Sequence, residues 1–141
     1  MTERHEGRCH CGAVRYAGLG AIETHVCHCT DCLGWVGGPF IAAMFDDGVD
    51  LQTPEAVRWY ESSEVASRGS CAACSTALFY KGNGRGISSV SAGTLVDQIS
   101  PPTIGEHIFI DQKPEYYDFA GDAPRLTRAQ LLAEIEAENG E

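Results

Sequence analysis

Seven cysteines are the residues of this sequence whose spacing indicates chemistry. Pairs of thiols separated by one or two residues are a common way for a chain to offer sulfur ligands to one metal ion. Since the number is odd and the start of the sequence has no secretory signal, free thiols are favoured over disulfides. The cysteines form three groups: Cys9-His10-Cys11, Cys27-His28-Cys29-Thr30-Asp31-Cys32 and Cys71-Ala72-Ala73-Cys74.

The first and third groups predict one structural metal site. In an extended segment, residues i and i+2 project to the same face, so Cys9 and Cys11 can bind one ion. Cys71 and Cys74 can do the same through a tight turn. Structural zinc takes four ligands in a tetrahedron, with Zn–S distances of about 2.3 Å. These four cysteines are therefore expected to hold a zinc ion that joins two distant segments.

The middle group supplies the remaining thiols, Cys27, Cys29 and Cys32. Three protein ligands with an open fourth position are typical of a catalytic zinc. A division into four and three accounts for all the cysteines, but other divisions stay open. Cys27 or Cys29 could complete a structural site instead. A histidine could also close the middle site, and the candidates are His10, His25, His28 and His107.

The alternation of side chains in an extended segment also predicts which way the histidines point. His10 and His28 each lie between two cysteines, so in an extended segment they point away from a metal that their neighbours bind. His107 opens an apolar run, where it is expected to be a core or edge residue with one hydrogen bond. The third cysteine group could instead be a redox pair, although no βαβ pattern precedes it.

The elements that must position these groups are short. Apolar runs bounded by glycine and proline predict strands and an all-β sheet or sandwich. One helix is indicated at the C-terminal end, where Thr127 and Gln130 form a capping-box pattern. Leu131, Leu132 and Ile135 share a face of this acidic, solvated helix. The predicted strands are 13–16, 40–45, 57–60, 78–80, 87–95 and 107–110.

Composition limits the class of protein. A length of 141 residues predicts a single domain, 1–141. The formal net charge of −10 disfavours nucleic acid and anionic membrane surfaces as partners. No apolar run is long enough to span a bilayer. Together with free thiols, these features predict a cytoplasmic protein.

The motifs around the cysteines resemble one known family, the glutathione-dependent formaldehyde-activating enzymes, which includes proteins related to centromere protein V. The similarity spans residues 7 to about 126. Phe40 after Gly38-Pro39 also fits, as does Leu78-Phe79-Tyr80 after the third cysteine group. The other matching segments are the opening Gly7-Arg8-Cys9-His10-Cys11-Gly12-Ala13-Val14-Arg15-Tyr16, the middle Cys27-His28-Cys29-Thr30-Asp31-Cys32, Cys71-Ala72-Ala73-Cys74, and His107-Ile108-Phe109-Ile110 with Lys113-Pro114.

The resemblance implies a fold and an activity. The fold would be the mostly-β, zinc-containing Mss4-like fold. The reaction would join glutathione to formaldehyde as S-hydroxymethylglutathione, a carbon–sulfur lyase activity with a small thiol and a small aldehyde as substrates. Two Zn²⁺ ions would be bound. Because an open three-cysteine site can lose its metal, partial occupancy is expected at the second site. Their ligands would be Cys9, Cys11, Cys71 and Cys74 at the structural site, and Cys27, Cys29 and Cys32 at the catalytic site.

Some positions depart from the family pattern. Ser75 stands where the family has a glycine that turns through positive φ, so strain or another turn is expected there. Leu33-Gly34 replace a basic residue after Cys32, and Tyr116-Tyr117 stand where the family has tryptophan. Glutathione would also need cations for its carboxylates. The candidates are Arg8, Arg15, Arg58, Arg68, Lys81, Arg85 and Lys113.

Two other classes of function compete with the enzyme. One is a non-catalytic zinc module that binds a protein partner, because fold alone does not fix function. The other is a thiol-based metal or redox sensor, in which the middle cluster binds labile zinc or is oxidised.

Overall fold

The computed structural model describes residues 3–99 and 103–139. Its regular elements are mostly strands, which confirms the mostly-β prediction, and the predicted C-terminal helix is present. The strands are β1 (Arg4–Arg8), β2 (Arg15–Leu19), β3 (Ile22–Cys27), β4 (Phe40–Phe45), β5 (Val49–Leu51), β6 (Val57–Glu61), β7 (Ala66–Cys71), β8 (Ala77–Gly82), β9 (Ile87–Ser91) and β10 (Glu106–Ile108). The α-helices are α1 (Thr30–Val36) and α2 (Arg128–Asn139).

The described residues fall into two compact units. The first contains residues 3–23, 42–99 and 103, and the second contains residues 24–41 and 104–139. The single domain expected from the chain length stays a prediction.

The first unit contains antiparallel sheet. β1, β2 and β5 pair in that order, and β4 from Ala42 onward is followed across the sheet by β9, β8, β7 and β6. Val14, Tyr16 and Phe79 are fully buried in its core, where the Tyr16 ring meets Phe79 edge-on at 5.3 Å. Gly7 is required in β1, because any side chain there would collide with the Tyr16 ring. The core thus fixes the strand that leads into Cys9.

The second unit is built around a parallel pair of strands. β10 pairs with β3 so that His107 lies opposite Val26 and Ile108 opposite Cys27. On its other side, the His107 N–H donates to the Pro124 carbonyl at 2.8 Å, and the Leu126 N–H donates to the His107 carbonyl at 2.9 Å. The backbone of His107 is therefore bonded to the segment 124–126, while its neighbours in β10 pair with β3 on the other side.

Helix α2 begins with the predicted capping box. The Gln130 N–H donates to the Thr127 hydroxyl at 3.1 Å, and the Thr127 N–H donates to Gln130 Oε1 at 2.8 Å. None of its described residues is buried, and Leu132 and Ile135 are exposed, as expected of a solvated helix. Within the described residues, neither helix is long and apolar enough to cross a membrane.

Four of the six predicted strands are confirmed within two residues at each end. The strand predicted over 87–95 ends at Ser91, where the 3-10 turn Ala92–Thr94 follows, and β1, β3, β5 and β7 were not predicted. Two other local differences have physical causes. β2 begins at Arg15 rather than at residue 13, because the preceding residues turn back, with the Gly12 N–H bonded to the Cys9 carbonyl and φ 84° at Gly12. The second difference is α1, which was not predicted. Its seven residues are too few to show a helical repeat of apolar side chains.

Candidate metal and catalytic site

The first cysteine cluster lies in the first unit, where β1 and β7 end. Its four sulfur atoms are all within 4.8 Å of one another. The Cys9 and Cys11 sulfurs are 3.7 Å apart, and those of Cys11 and Cys71 are 3.8 Å apart. The structure therefore brings together Cys9, Cys11, Cys71 and Cys74, the four cysteines assigned to one site from their spacing.

Backbone N–H groups point at these sulfurs. The Val14 N–H donates to Cys9 Sγ at 3.2 Å, and the N–H groups of Ala73 and Cys74 donate to Cys71 Sγ, both at 3.3 Å. Such donors favour thiolate over thiol. The turn that aims them passes through Ser75 with φ 67°. The left-handed strain expected from serine in place of glycine is thus present.

Neighbouring groups shift the pKa values of two cysteines in this cluster in opposite directions. The hydroxyl and N–H of Thr76 lower the pKa of Cys74 to about 5. The Ala13 N–H acts to lower the pKa of Cys11, but the neighbouring thiols of Cys74 and Cys9 outweigh it and raise that pKa to about 11. A divalent metal that binds thiolates in place of shared protons fits this donor set.

The second cluster lies in the second unit and comes from one short segment. Cys27 ends β3, Cys29 caps the N-terminus of α1, and Cys32 lies in its first turn. The three sulfur atoms are within 4.8 Å of one another. Cys27 and Cys32 are buried, whereas Cys29 is half-buried. Among the described residues, no histidine or carboxylate joins these three sulfurs.

The capping role of Cys29 orients its sulfur. The Cys32 N–H donates to Cys29 Sγ at 3.3 Å, and the Leu33 N–H donates to the Cys29 carbonyl at 2.9 Å. Hydrogen bonds from the Cys27 and Cys32 thiols lower the pKa of Cys29. Contacts with Cys29 and Cys32, together with burial, raise the pKa of Cys27. A thiolate is therefore favoured at Cys29, the most accessible of the three sulfurs.

His28 points away from the neighbouring sulfurs, as the alternation predicts. Its Nδ1 lies 2.7 Å from the Tyr117 hydroxyl, and its Nε2 lies 2.8 Å from Nδ1 of His107. The rings of His107 and Tyr117 stack on it, and Phe119 meets it edge-on. Since both ring nitrogens already have partners, His28 is not placed to close the metal site.

The His28 ring is kept neutral by its surroundings. Burial lowers its pKa to about 4, and the charges of His107, Lys113 and Arg125 act in the same direction. Burial also lowers the pKa of His107. Two buried neutral imidazoles can share a hydrogen bond without the cost of an unpaired buried charge.

The segment after β10 also holds the cysteine loop. The His28 N–H donates to the Ile108 carbonyl at 3.1 Å, and the Thr30 N–H donates to Gln112 Oε1 at 3.0 Å. Between these two contacts, Phe109 adopts φ 55°, an unfavourable conformation for a bulky residue. Strain of this kind persists where surrounding contacts fix the backbone, and it is concentrated at functional sites.

The basic residues predicted to serve the site are divided between the units. Lys113 lies in the second unit, beside the Tyr117 ring, and the other six lie in the first. Sequence reasoning missed Arg125, which also lies in the second unit and whose Nη2 is 2.9 Å from Asp118. No motif marks Arg125, since it lies eleven residues after Pro114, where the last quoted motif ends.

A four-thiol cluster and a three-thiol cluster on a mostly-β chain define a cysteine-rich protein with two groups of side chains that could each hold a metal ion. A family model described as "Glutathione-dependent formaldehyde-activating enzyme" matches residues 4–112. The chain belongs to this family, as the motifs predict. It is also 31% identical over 133 residues to a protein of Schizosaccharomyces pombe (strain 972) named uncharacterized lyase C29B12.13, covering 93% of this chain and 96% of that protein.

Proposed function

We propose that this protein is a zinc-dependent carbon–sulfur lyase that acts on a thiol, glutathione or a similar molecule, and on a small aldehyde such as formaldehyde. Family membership and the lyase name of the yeast relative support a lyase-type function. The observation that supports zinc-dependent chemistry on a thiol and an aldehyde is the group formed by Cys27, Cys29 and Cys32. These sulfurs converge without a fourth ligand from the described residues.

The donor sets fit zinc. Sulfur ligands suit Zn²⁺, and four cysteines complete a structural site whereas three leave a position for substrate. Cys9, Cys11, Cys71 and Cys74 would hold the first ion, and Cys27, Cys29 and Cys32 the second. When bound at the second site, zinc would supply Lewis acidity toward the sulfur or oxygen of a substrate.

The proposed reaction is an addition without oxidation or reduction. The thiol sulfur bonds to the carbonyl carbon, and the π electron pair of the C=O bond moves to oxygen. The proton that leaves the thiol ends on that oxygen, which gives an S-hydroxymethyl adduct. The lyase direction breaks the same carbon–sulfur bond and returns the proton to sulfur.

The residues of the chain orient this site rather than react. Cys27 and Cys32 are buried and exclude water from one side of the cluster, while Cys29 faces the accessible side. His28 fixes the direction of the loop, since its ring is held by Tyr117 and His107. A loop held at these points keeps its ligands in place during reaction.

The test is the rate of adduct formation from glutathione and ¹³C-formaldehyde, followed by NMR exchange above the uncatalysed rate. We expect zinc-loaded wild type to accelerate exchange and Cys29→Ser to lose at least about 100-fold, the size of loss expected when an interaction of about 2.7 kcal/mol with the transition state is removed. Cys29→Ser must keep the wild-type circular dichroism spectrum. Zinc-loaded wild type with no rate above background would contradict the proposal.

A further inference from the structure

Two arginines lie beside the exposed side of the first cysteine cluster. Arg8 ends β1 and Arg15 begins β2, and the two are directly opposite each other in the antiparallel pair. Both guanidinium groups lie near Gly12, where a Cβ would be 3.6 Å from Arg8 Nη1 and 3.8 Å from Arg15 Nη2. Because Gly12 follows Cys11 directly, two positive charges lie close to the exposed cysteine of the cluster.

A third arginine contacts the other half of the cluster. Arg58 in β6 donates from Nη2 to the Ala72 carbonyl at 3.2 Å. Ala72 lies in the turn between Cys71 and Cys74, whose sulfurs belong to the cluster. The three arginines therefore come from three different strands, and together they reach both segments that supply the four sulfurs.

These arginines have no carboxylate partner in the described part of the chain. No aspartate or glutamate there forms an ion pair with Arg8, Arg15 or Arg58. Arg4, by contrast, is paired with Glu6 at 2.7 Å. Like charges directly opposite each other in antiparallel strands destabilise the pairing, so Arg8 and Arg15 should be stabilised by a negative charge beside them.

The cluster itself supplies that negative charge when it holds zinc. Four thiolates around one Zn²⁺ leave a net charge of about −2. Since Cys11 is exposed, this charge extends to the surface where Arg8 and Arg15 lie. The chain as a whole has a net charge of −10, so compensating positive charge has to come from residues near the cluster.

We propose that Arg8, Arg15 and Arg58 are the counter-charges of a zinc tetrathiolate at the first cluster and determine how tightly the cluster retains the ion. The inference rests on the proposed function in one respect, since it takes zinc as the metal. The arginines act by charge and are not ligands, so lysine at the same positions should serve nearly as well. Salt should weaken their effect, because the three side chains are exposed.

The test measures zinc affinity without turnover. The background is the full chain with Cys29→Ser, in which the first cluster is the expected zinc site, and zinc is titrated against a chelator of known affinity. The variants are Arg8→Met, Arg15→Met and Arg58→Met, each compared with its lysine counterpart. Arg85→Met is the matched control, because Arg85 lies in the turn after β8, at the opposite end of that strand from the cluster, and loses the same charge.

We expect each change from arginine to methionine to weaken zinc binding about threefold, and the triple methionine variant to bind at least about tenfold more weakly, as the loss of exposed ion pairs predicts. The lysine variants should stay within about twofold of the background. Raising the salt concentration from about 0.05 M to about 0.5 M should weaken zinc binding more in the background than in the triple variant. Arg85→Met should bind zinc like the background.

Equal zinc affinities of the background and the triple methionine variant would overturn the inference, as would an equal loss in Arg85→Met. A loss of the same size in the lysine variants would overturn it too, because the shape of the guanidinium rather than its charge would then be responsible. Absence of zinc from the first cluster would have the same consequence. Failure of the proposed reaction looks different, because adduct formation would be absent while these differences in zinc affinity persisted.

Discussion

The two cysteine clusters differ in how the chain holds them. The first takes sulfurs from two segments about sixty residues apart, and Cys9 and Cys71 are buried in the core of the first unit. The second takes all three sulfurs from six consecutive residues, and other parts of the second unit hold that loop through His28 and Thr30. A metal in the first cluster would join distant strands, whereas a metal in the second would join little that the backbone does not already fix.

Because of this difference, we expect one cluster to determine stability and the other to determine reactivity. With four thiolates, Zn²⁺ at the first cluster is coordinatively complete. With three, it carries a net charge of −1 and keeps one open position. We therefore expect the first cluster to govern folding and the second to govern turnover.

The largest effect should follow from breaking the first cluster. Cys71→Ser removes a sulfur with no exposure to solvent and leaves three thiolates around an incomplete site. Structural zinc sites contribute folding free energy directly, so we expect a loss above about 4 kcal/mol. The free energies of unfolding in urea of zinc-loaded wild type, Cys71→Ser and Cys29→Ser would measure this loss. Equal losses in the two variants would contradict the division of roles.

The free energy of unfolding should depend on pH through His28, which lies in the second unit. The folded-state pKa of His28 is lowered to about 4, below the unfolded value of about 6.5. The unfolded state therefore binds the proton first as pH falls. The contribution of His28 is complete above pH 6.5 and declines toward pH 4 by about 1.4 kcal/mol per pH unit.

Urea unfolding at pH 7.5, 6.5 and 5.5, with zinc content measured at each point, would check this slope. His28→Gln should show a flatter profile over the same range. His10→Gln, which changes an exposed histidine beside the first cluster, is the matched control and should keep the wild-type slope. An unchanged slope in His28→Gln would show that His28 does not cause it.

A smaller effect is expected at the partner of His28. Tyr117→Phe keeps the ring and removes the hydroxyl that meets Nδ1 of His28 at 2.7 Å. The buried nitrogen then lacks a partner, which costs about 1–3 kcal/mol. Thermal unfolding would measure the loss, and the cobalt-substituted absorption spectrum would show whether the cysteine ligands move. Tyr116→Phe, at an exposed tyrosine, should change neither.

The smallest effect should be a gain. Ser75 holds φ 67° in the turn between Cys74 and Thr76, and glycine adopts this conformation without the steric cost of a Cβ. Glycine also gains entropy in the unfolded chain, so the net stabilisation should be about 1 kcal/mol or less. Ser75→Gly should raise the unfolding midpoint with unchanged zinc content. A lower midpoint would mean that the Ser75 side chain contributes more than its strain costs.

Much of the site, and the start of α2, could be predicted from the sequence because the determinants are local. The spacing of Cys9 and Cys11, the Cys71-x-x-Cys74 turn and the capping box at Thr127 each depend on residues close together in the chain. The outward direction of His28 also follows from strand alternation.

The remaining features depend on contacts between distant residues. The Tyr117 hydroxyl reaches His28 across 89 positions, and no local pattern specifies that pairing. Arg125 comes beside the site only because β10 pairs with the segment 124–126. Helix α1 depends on Cys29 as its cap, a role that its metal-ligand spacing conceals.

Zinc per chain, measured on protein purified without chelator for wild type and Cys29→Ser, decides whether the two clusters bind metal independently. We expect two zinc ions in wild type and one in Cys29→Ser, with the variant still folded. One zinc in both proteins, unchanged after zinc is added back, would contradict an independent three-cysteine site. The chain would then be a protein with a structural zinc only.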